Sequence, residues 1–506
     1  MGQAPARVPL SSAQGRWLLF AAVLGSGLSG IDATVVNVAL PAIGESFDAS
    51  FTALQWVVTA YALTLAAFIL VGGVLGDRYG RRRVFVVGVV WFAAASLLCG
   101  LAPTEEVLVL ARALQGVGGA LLTPASLAVI QASVTPADRA RAIGAWSGLS
   151  GVATAVGPFL GGWLVDAVSW RWVFLVNAPL AVVLVVVATR HVPDTRDPTA
   201  TGGVDWLGAV VGAVALAGTS YALISAGDEG WTLPVVAAGV LGAVAAAAFV
   251  VVERRSAHPM LPLSVFSSAQ FSAANVVTFI VYGAFGVVFF LLVIQLQVVL
   301  GYGPVAAGVA LLPVTGLMLL LSAWSGEVAA RIGPPLQMAL GPVVCAAGLV
   351  LMLRVGRDAG YVGDVLPAVL VFGLGLSVLV APLTATALGA APDEHAGLAS
   401  GVNNAVARTG GLVAVAAVPA LAGLTGRVYD DPDAFDAGFT TAMWVAVGAL
   451  LVGAVVAAVS IRDDVLEPEP REEPTHHVRH CGVGAPPLTT STDARVPGQA
   501  AEGSGR

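Results

Sequence analysis

Asp32 and Arg112 each interrupt a long apolar run, Asp32 within 17–40 and Arg112 within 107–131. Apolar surroundings favour the neutral form of a carboxyl, whereas a neighbouring guanidinium favours the ionised form. A carboxyl held between those influences can take up or release a proton when the separation changes slightly. The same two residues can equally serve as a static tie between helices. Further along, Gly73-Val-Leu-Gly-Asp-Arg78-Tyr-Gly80 is followed by Arg81, Arg82 and Arg83. There Gly80 suits a tight reversal, Gly73 and Gly76 allow close helix approach, and Asp77 can bond Arg78 or Arg81. A third block, Gly157-Pro-Phe-Leu-Gly-Gly162, brings together Gly157, Pro158, Gly161 and Gly162. The cluster His476-His477-Val-Arg-His480-Cys481 has metal-binding residue types but no second ligand group, and reads as solvated.

The elements that must position these residues follow from composition. Of 506 residues, 57% are hydrophobic and only 11% charged, against about 25% charged in an average globular protein. A membrane-spanning helix needs ~20 apolar residues, so fourteen of them would occupy about 280. That arithmetic excludes a soluble enzyme, a secreted disulfide scaffold and a disordered chain. The net charge of -7 includes no basic concentration suited to nucleic acid, and all 24 positive residues are Arg. Cys99, Cys345 and Cys481 lack metal or disulfide spacing. Apolar segments at 17–40, 53–75, 84–102, 107–131, 142–166 and 172–189 predict six spans. Segments at 206–225 and 233–252 predict two more, and those at 271–299, 305–325, 336–353, 365–388, 399–424 and 438–460 a final six. Helices are required because lipid offers no partner to an unpaired backbone group.

Arginine placement sets the orientation. With the N-terminus inside, thirteen arginines before the tail fall in cytoplasmic segments, while Arg171, Arg354, Arg357 and Arg427 fall outside. Both ends are thus expected in the cytoplasm. An internal repeat is visible as well: Gly73, Arg78 and Gly80 recur as Gly326, Arg331 and Gly333, an offset of 253. A weaker echo links Thr135-Pro-Ala-Asp-Arg139 with Ala391-Pro-Asp-Glu-His395. The predicted fold is therefore all-α and integral to the membrane, with two related six-helix bundles and two linking spans. The expected divisions are a cytoplasmic N-terminus 1–16, a first bundle 17–189, linking spans 205–252, a second bundle 270–460, and a disordered cytoplasmic tail 461–506.

Four blocks carry a family resemblance. They are Ile31-Asp-Ala-Thr-Val-Val-Asn-Val-Ala-Leu-Pro41, Gly73 to Arg83, Arg112-Ala-Leu-Gln-Gly116, and Gly157 to Gly162, supported by Gln55-Trp56 with Tyr61 and by Gly397-Leu-Ala-Ser-Gly-Val-Asn-Asn404. In this order and at these spans, the chain resembles the fourteen-span drug:proton antiporters of the major facilitator superfamily from Trp17 to about Ile461. Gly76 stands where the loop motif often has Ala, and Ala330 replaces the acid in its second copy. The resemblance implies two bundles alternating access to a site near the membrane midplane, and it associates the fifth-span block with exporters rather than importers.

On that footing each pattern has two readings. Asp32 lies ~13 Å from the outer end of span 1 and Arg112 ~8 Å below the outer end of span 4, so the two can pair. The pair is then either the proton-coupling device of an exporter or a fixed tie. Asp77 can meet the positive N-terminal end of span 13 and hold the outward-facing state, or the arginines can merely fix topology. Gly144, Gly148, Gly157 and Gly161 with Pro158 make either an interface hinge or generic packing. Asn37, Gln55, Trp56, Tyr61, Gln115, Asn275, Tyr282, Gln295 and Gln297 either line a cavity or bond neighbouring helices. Arg408 has no acid in its own segment, can snorkel toward the cytoplasm, and is left without an assigned role.

The expected function is export of hydrophobic or cationic small molecules, drugs or antibiotics, in exchange for protons, from a bacterial plasma membrane. No cofactor, metal or nucleic acid is implied, no phosphate-binding loop is present, and no catalytic constellation points to an enzyme. The rival readings are a dedicated exporter of one metabolite, such as a self-made antibiotic, amino acid or lipid precursor, and a non-transporting membrane receptor.

Overall fold

In a computed structural model, which describes residues 7–196, 203–391 and 396–463, the chain is helical apart from loops and one isolated bridge between Val8 and Val134. The first bundle comprises α1 (Ala13–Phe47), α2 (Phe51–Tyr79), α3 (Arg81–Gly100), α4 (Glu105–Ser133), α5 (Pro136–Ala167), and the pair α6 (Trp172–Leu175) and α7 (Asn177–His191). Two linking helices follow, α8 (Trp206–Glu229) and α9 (Leu233–Arg255). The second bundle holds α10 (Ala269–Val298), α11 (Pro304–Ala310) with α12 (Leu312–Ile332), and α13 (Pro335–Met352). It is completed by α14 (Leu366–Gly389), α15 (Ala396–Leu421) and α16 (Pro432–Ser460). Among the described residues these make 14 stretches long and apolar enough to cross a membrane. The second half of the weaker echo, at 392–395, lies outside the described residues, as do the tail from 464 and its histidine cluster.

Local signals start the helices where the apolar runs begin. Ser12, Ser50 and Ser268 each accept a backbone N–H from the first turn of α1, α2 and α10, and Asp205 does so for α8. Such caps satisfy donors that the helix itself leaves orphaned. The outward faces are apolar: Leu110, Trp163, Leu233, Leu320 and Val459 are exposed, which fits a chain whose solvent on those faces is lipid rather than water. In the first bundle α4 packs on α2 and α3, and α1 packs on α5; in the second, α14 packs on α12 and α13, and α10 on α15 and α16. The linking helices pack on each other through Gly218 and Gly242, and α8 docks where α2 meets α15.

The repeat extends beyond the glycine–arginine loop. Gly80 and Gly333 have φ of +111° and +83°, a region that favours glycine. A Cβ at either would press on an aspartate, Asp194 just past α7 or Asp463 just past α16. The second residue of α1, Gln14, donates to the carbonyl of His191 at the end of α7 (3.2 Å), and the second residue of α10, Gln270, donates to Ser460 at the end of α16 (2.9 Å). Each bundle therefore ties its first helix to its last in the same way, on the face that carries the arginine-rich loops.

One expectation about the loop motif needs correcting. Gly73 and Gly76 are not pressed by neighbouring helices: a Cβ at either would meet ordinary contacts at 4.0 and 3.9 Å. The close approach of α2 to α4 falls one residue earlier, at Gly72, where a Cβ would collide with the carbonyl of Ala120. A helix turns about 100° per residue, so adjacent glycines face different neighbours. Gly72→Val should therefore lower stability by about 1–3 kcal/mol or more through overpacking. Gly73→Ala should be neutral or slightly stabilising. Thermal unfolding of the detergent-solubilised variants measures both.

Candidate functional site

Asp32 on α1 and Arg112 on α4 meet inside the first bundle, Oδ2 to Nη1 at 2.5 Å, and both are almost wholly buried. The carboxylate has further donors: Oδ1 accepts from Gln115 Nε2 at 2.7 Å and from Asn177 Nδ2 at 3.1 Å. Arg112 also donates to Gln115 Oε1 (2.6 Å) and, through Nε, to the Val57 carbonyl (3.0 Å). Ser96 accepts from both Gln115 and Asn177, at 2.6 and 3.0 Å. The guanidinium lies over the Tyr61 ring, 4.3 Å from its centroid, and Tyr61 in turn bonds Ser29 at 2.7 Å. Five helices of the bundle thus converge on one carboxylate. A buried ion pair of this kind persists only when its remaining donors and lone pairs are satisfied, and these are arranged to satisfy an ionised Asp32.

Beside this network, between the bundles, lies a cavity of about 480 Å³. Its aromatic wall is α10, with Tyr282, Phe285, Phe289 and Phe290; α1 contributes Thr34 and Asn37, α2 Thr59 and Tyr61, α4 Arg112, and α15 Asn404 and Arg408. Asp32 is not on the wall and sits behind Arg112 and Tyr61.

Of the polar residues expected to line a cavity, Asn37, Tyr61 and Tyr282 do so, and Arg408 points there instead of snorkelling out. The others stand elsewhere. Trp56 is turned by one residue away from Gln55, faces Tyr221 on α8 and lines a separate cavity with Glu105 and Glu106 of α4. Gln55 reaches across to the Val415 and Ala416 carbonyls of α15, at 2.5 and 3.2 Å. Gln115 belongs to the ion-pair network. Asn275 donates to the Phe271 carbonyl and accepts from Asn403. Gln295 holds the Val355 carbonyl and Asp436, and Gln297 holds the Val38 carbonyl across the bundles. The amides among these bond a neighbouring helix or loop, or their own helix, although the Gln295 Oε1 stays buried without a donor. Ser96 and Asn177, which complete the shell around Asp32, were not foreseen. Asn177 as an isolated amide opening an apolar run was the signal available for it.

The bundles are joined firmly on the face away from the arginine-rich loops. Arg427, between α15 and α16, pairs with Asp48 at the end of α1 (2.6 Å) and with Asp430 (2.7 Å). The Phe51 N–H donates to the Gly426 carbonyl at 2.6 Å, Tyr429 OH donates to the Ala49 carbonyl, and Phe51 packs on Phe290 and Phe435. On α5, Gly157 and Gly161 press on α1, while Gly162 and Pro158 press on α11 at Pro304 and Gly308. Farther along the same stripe, toward the arginine-rich face, Gly144, Gly148 and Gly151 have nothing within reach of a Cβ, and neither has Gly316 on α12. The α5–α12 seam therefore parts toward that face, while α2 and α15 still touch there through Leu70 and Gly401. Asp77 is held by Arg81 at 2.7 Å and borders a cleft with Asp205 and His258.

Comparison with known proteins places this geometry. The major facilitator superfamily model matches residues 22–415. The chain is 38% identical over 479 residues to a puromycin resistance protein of Streptomyces alboniger, covering 90% of this chain and 94% of that one. It is 36% identical to a tetracenomycin C resistance and export protein of Streptomyces glaucescens (84% and 80% covered). It is 35% identical to a multidrug efflux pump of Mycolicibacterium smegmatis (77% of each). Among solved structures, a peptide transporter crystallised with sulfate matches with a TM-score of 0.65 at 17% identity, covering 90% of this chain and 97% of that one. A D-xylose–proton symporter matches at 0.61 and 15%, covering 88% and 98%. At those identities the solved structures speak to the fold alone.

The clasp on the closed face includes one titratable pair, Asp48 with Arg427. The hydrogen bond and charge of Arg427 hold the Asp48 carboxyl below its ordinary value of 3.8. A carboxylate so lowered favours the clasped form above that value and ceases to as pH falls through the lowered one. Spin-label distances between positions 45 and 423 should accordingly stay constant from pH 8 to about pH 5 and lengthen only in stronger acid. Asp48→Asn at pH 7 should show the longer, acid-type distribution.

Proposed function

The chain belongs to the major facilitator superfamily, and from that premise we propose that it is a proton-coupled antiporter exporting apolar small molecules, drugs or antibiotics among them. The supporting observation is the buried Asp32–Arg112 pair beside a largely apolar cavity between two bundles that are closed on one face and parted on the other. Relatives named for antibiotic resistance and multidrug efflux, alike over most of their length, support the same reading. The arginine-rich face is taken as cytoplasmic, by the excess of arginine in its loops, in a bacterial plasma membrane.

In that orientation the conformation is open inward, and the donors around Asp32 suit its ionised form. That is the state from which a proton has left toward the cytoplasm and into which cargo loads. Closure of the α5–α12 seam and release of the Asp48–Arg427 clasp would turn the cavity outward. Protonation of Asp32 from that side removes one member of the pair, frees Arg112 from it, and favours return. Each charge carried inward is worth ~2.3 kcal/mol per 100 mV of membrane potential, enough for one proton to drive appreciable uphill export. Asp77, bound here to Arg81, is free in this scheme to engage the start of α15 when the inner face closes. The Gly157–Gly162 block, lodged against α1 and α11, is the joint about which α5 swings.

Asp32→Asn tests the coupling. Efflux of fluorescent dyes spanning cationic, neutral and acidic classes from a pump-deficient host should lose its response to uncoupler and to external pH, with the variant present in the membrane at normal amount. Wild-type efflux with an unaltered pH response would remove Asp32 from the mechanism. A growth-inhibition panel in the same host separates broad export from service to one metabolite.

A further inference from the structure

The described part of the cavity wall carries two guanidiniums and no carboxylate. One guanidinium, Arg112, is neutralised by Asp32 behind it. The other, Arg408, sits midway along α15, deep in the protein yet with surface open to the cavity. Its Nε donates to Asn404 Oδ1 at 2.9 Å, and among the described residues no carboxylate pairs with it. Asp32 is not at hand to serve it, since both carboxylate oxygens are already engaged by Arg112, Gln115 and Asn177. Tyr61 and Tyr282, the titratable groups beside Arg408, are phenols and give it no counter-charge. A guanidinium offers five N–H donors in a planar fork matched to two oxygens, and one of them is used here. An unpaired cation at this depth is costly to keep. On the same wall, Asn37 leaves its Oδ1 buried and without a donor.

We propose that Arg408 is the anion-recognition group of this cavity, and that the preferred cargo is an aromatic or similarly apolar molecule bearing an acidic oxygen group, a carboxylate or an ionised phenol, rather than a lipophilic cation. The inference rests on the efflux reading and sharpens its substrate class, replacing the expectation of cationic cargo. The acidic group bonds the free edge of the Arg408 fork, which Asn404 aligns by holding Nε. The ring system lies along Phe285 and Phe289. A hydroxyl or N–H on the cargo can donate to Asn37 Oδ1. A lipophilic cation in the same place would meet an uncompensated like charge. Exchange of such an anion for an entering proton would move two elementary charges with the membrane potential, so acidic cargo is also the kind that potential drives out best.

The test uses the full-length protein in lipid nanodiscs at pH 8 and three fluorescent probes of one shape: anthracene-9-carboxylate, anthracene-9-carboxamide and 9-anthracenylmethylammonium. Wild type should bind the carboxylate about tenfold tighter than the amide and the ammonium most weakly, the preference expected of a charge-assisted forked contact. Arg408→Gln should remove the preference by weakening the carboxylate far more than the amide, and Arg408→Lys should keep part of it. Because the probe order is read first in wild type, a poorly folded variant does not decide the outcome. Equal binding of all three, tighter binding of the ammonium, or a preference that survives Arg408→Gln overturns the proposal while leaving export intact. If wild type binds none of the probes and uncoupler-sensitive efflux of acidic, neutral and cationic dyes is also absent, the export reading falls with it.

Discussion

A carboxylate and a guanidinium buried together within the first bundle set the terms for much else in this molecule. Alone, either would be expelled from an apolar interior or forced neutral; together, with Gln115, Asn177, Ser96 and the Val57 carbonyl completing their bonds, they form a satisfied unit. That unit fixes the relative depth of α1, α2, α3, α4 and α7. It also makes Tyr61 and Arg112, not Asp32, the groups presented to the cavity. The wall therefore reports on the acid behind it only through its partner, a suitable arrangement where cargo and proton must influence one another without sharing a binding surface.

The two bundles are joined by contacts of different character on their two seams. Where Arg427, Tyr429 and Phe51 meet, polar clasps reinforce aromatic packing. Along α5 and the α11–α12 pair the contact is made by glycine and proline backbone at α11, near one face, and then ends along α12. Glycine surfaces pack closely but contribute little side-chain burial, so such a seam can part at small cost. The α2–α15 seam, bonded at Gln55 and still in touch at Leu70 and Gly401, is the better fulcrum. Opening is thus asymmetric, and the linking helix α8 lies on the side that stays shut.

Span number and order were legible because lipid demands long apolar helices whatever their tertiary partners. The meeting of Asp32 and Arg112 was legible from depth alone, since charges at one level of one bundle have few other places to go. The glycine–arginine repeat was legible too, but its companions were not. Gln14 and Gln270, or Asp194 and Asp463, are equivalent only once the helices they bridge are side by side. Side-chain direction was the main loss. Gln55, Trp56 and Tyr61 share one helix within two turns, yet one clasps α15, one faces α8 and one lines the cavity. Gly72 and Gly73 divide in the same way. Helix rotation is set by the neighbours, and a single sequence does not display them.

Pairing Asp32 with Arg112 also bears on how the chain is built into the bilayer. Each residue carries an insertion cost of up to ~2.5–3.5 kcal/mol, the value at the centre of an isolated helix, so each weakens its own helix as a client of the translocon when taken singly. The penalty is relieved only when the two helices lie together, after α2 and α3 have been threaded between them in time. A chain that keeps α1 near the exit site until α4 has emerged meets that penalty for the shortest time.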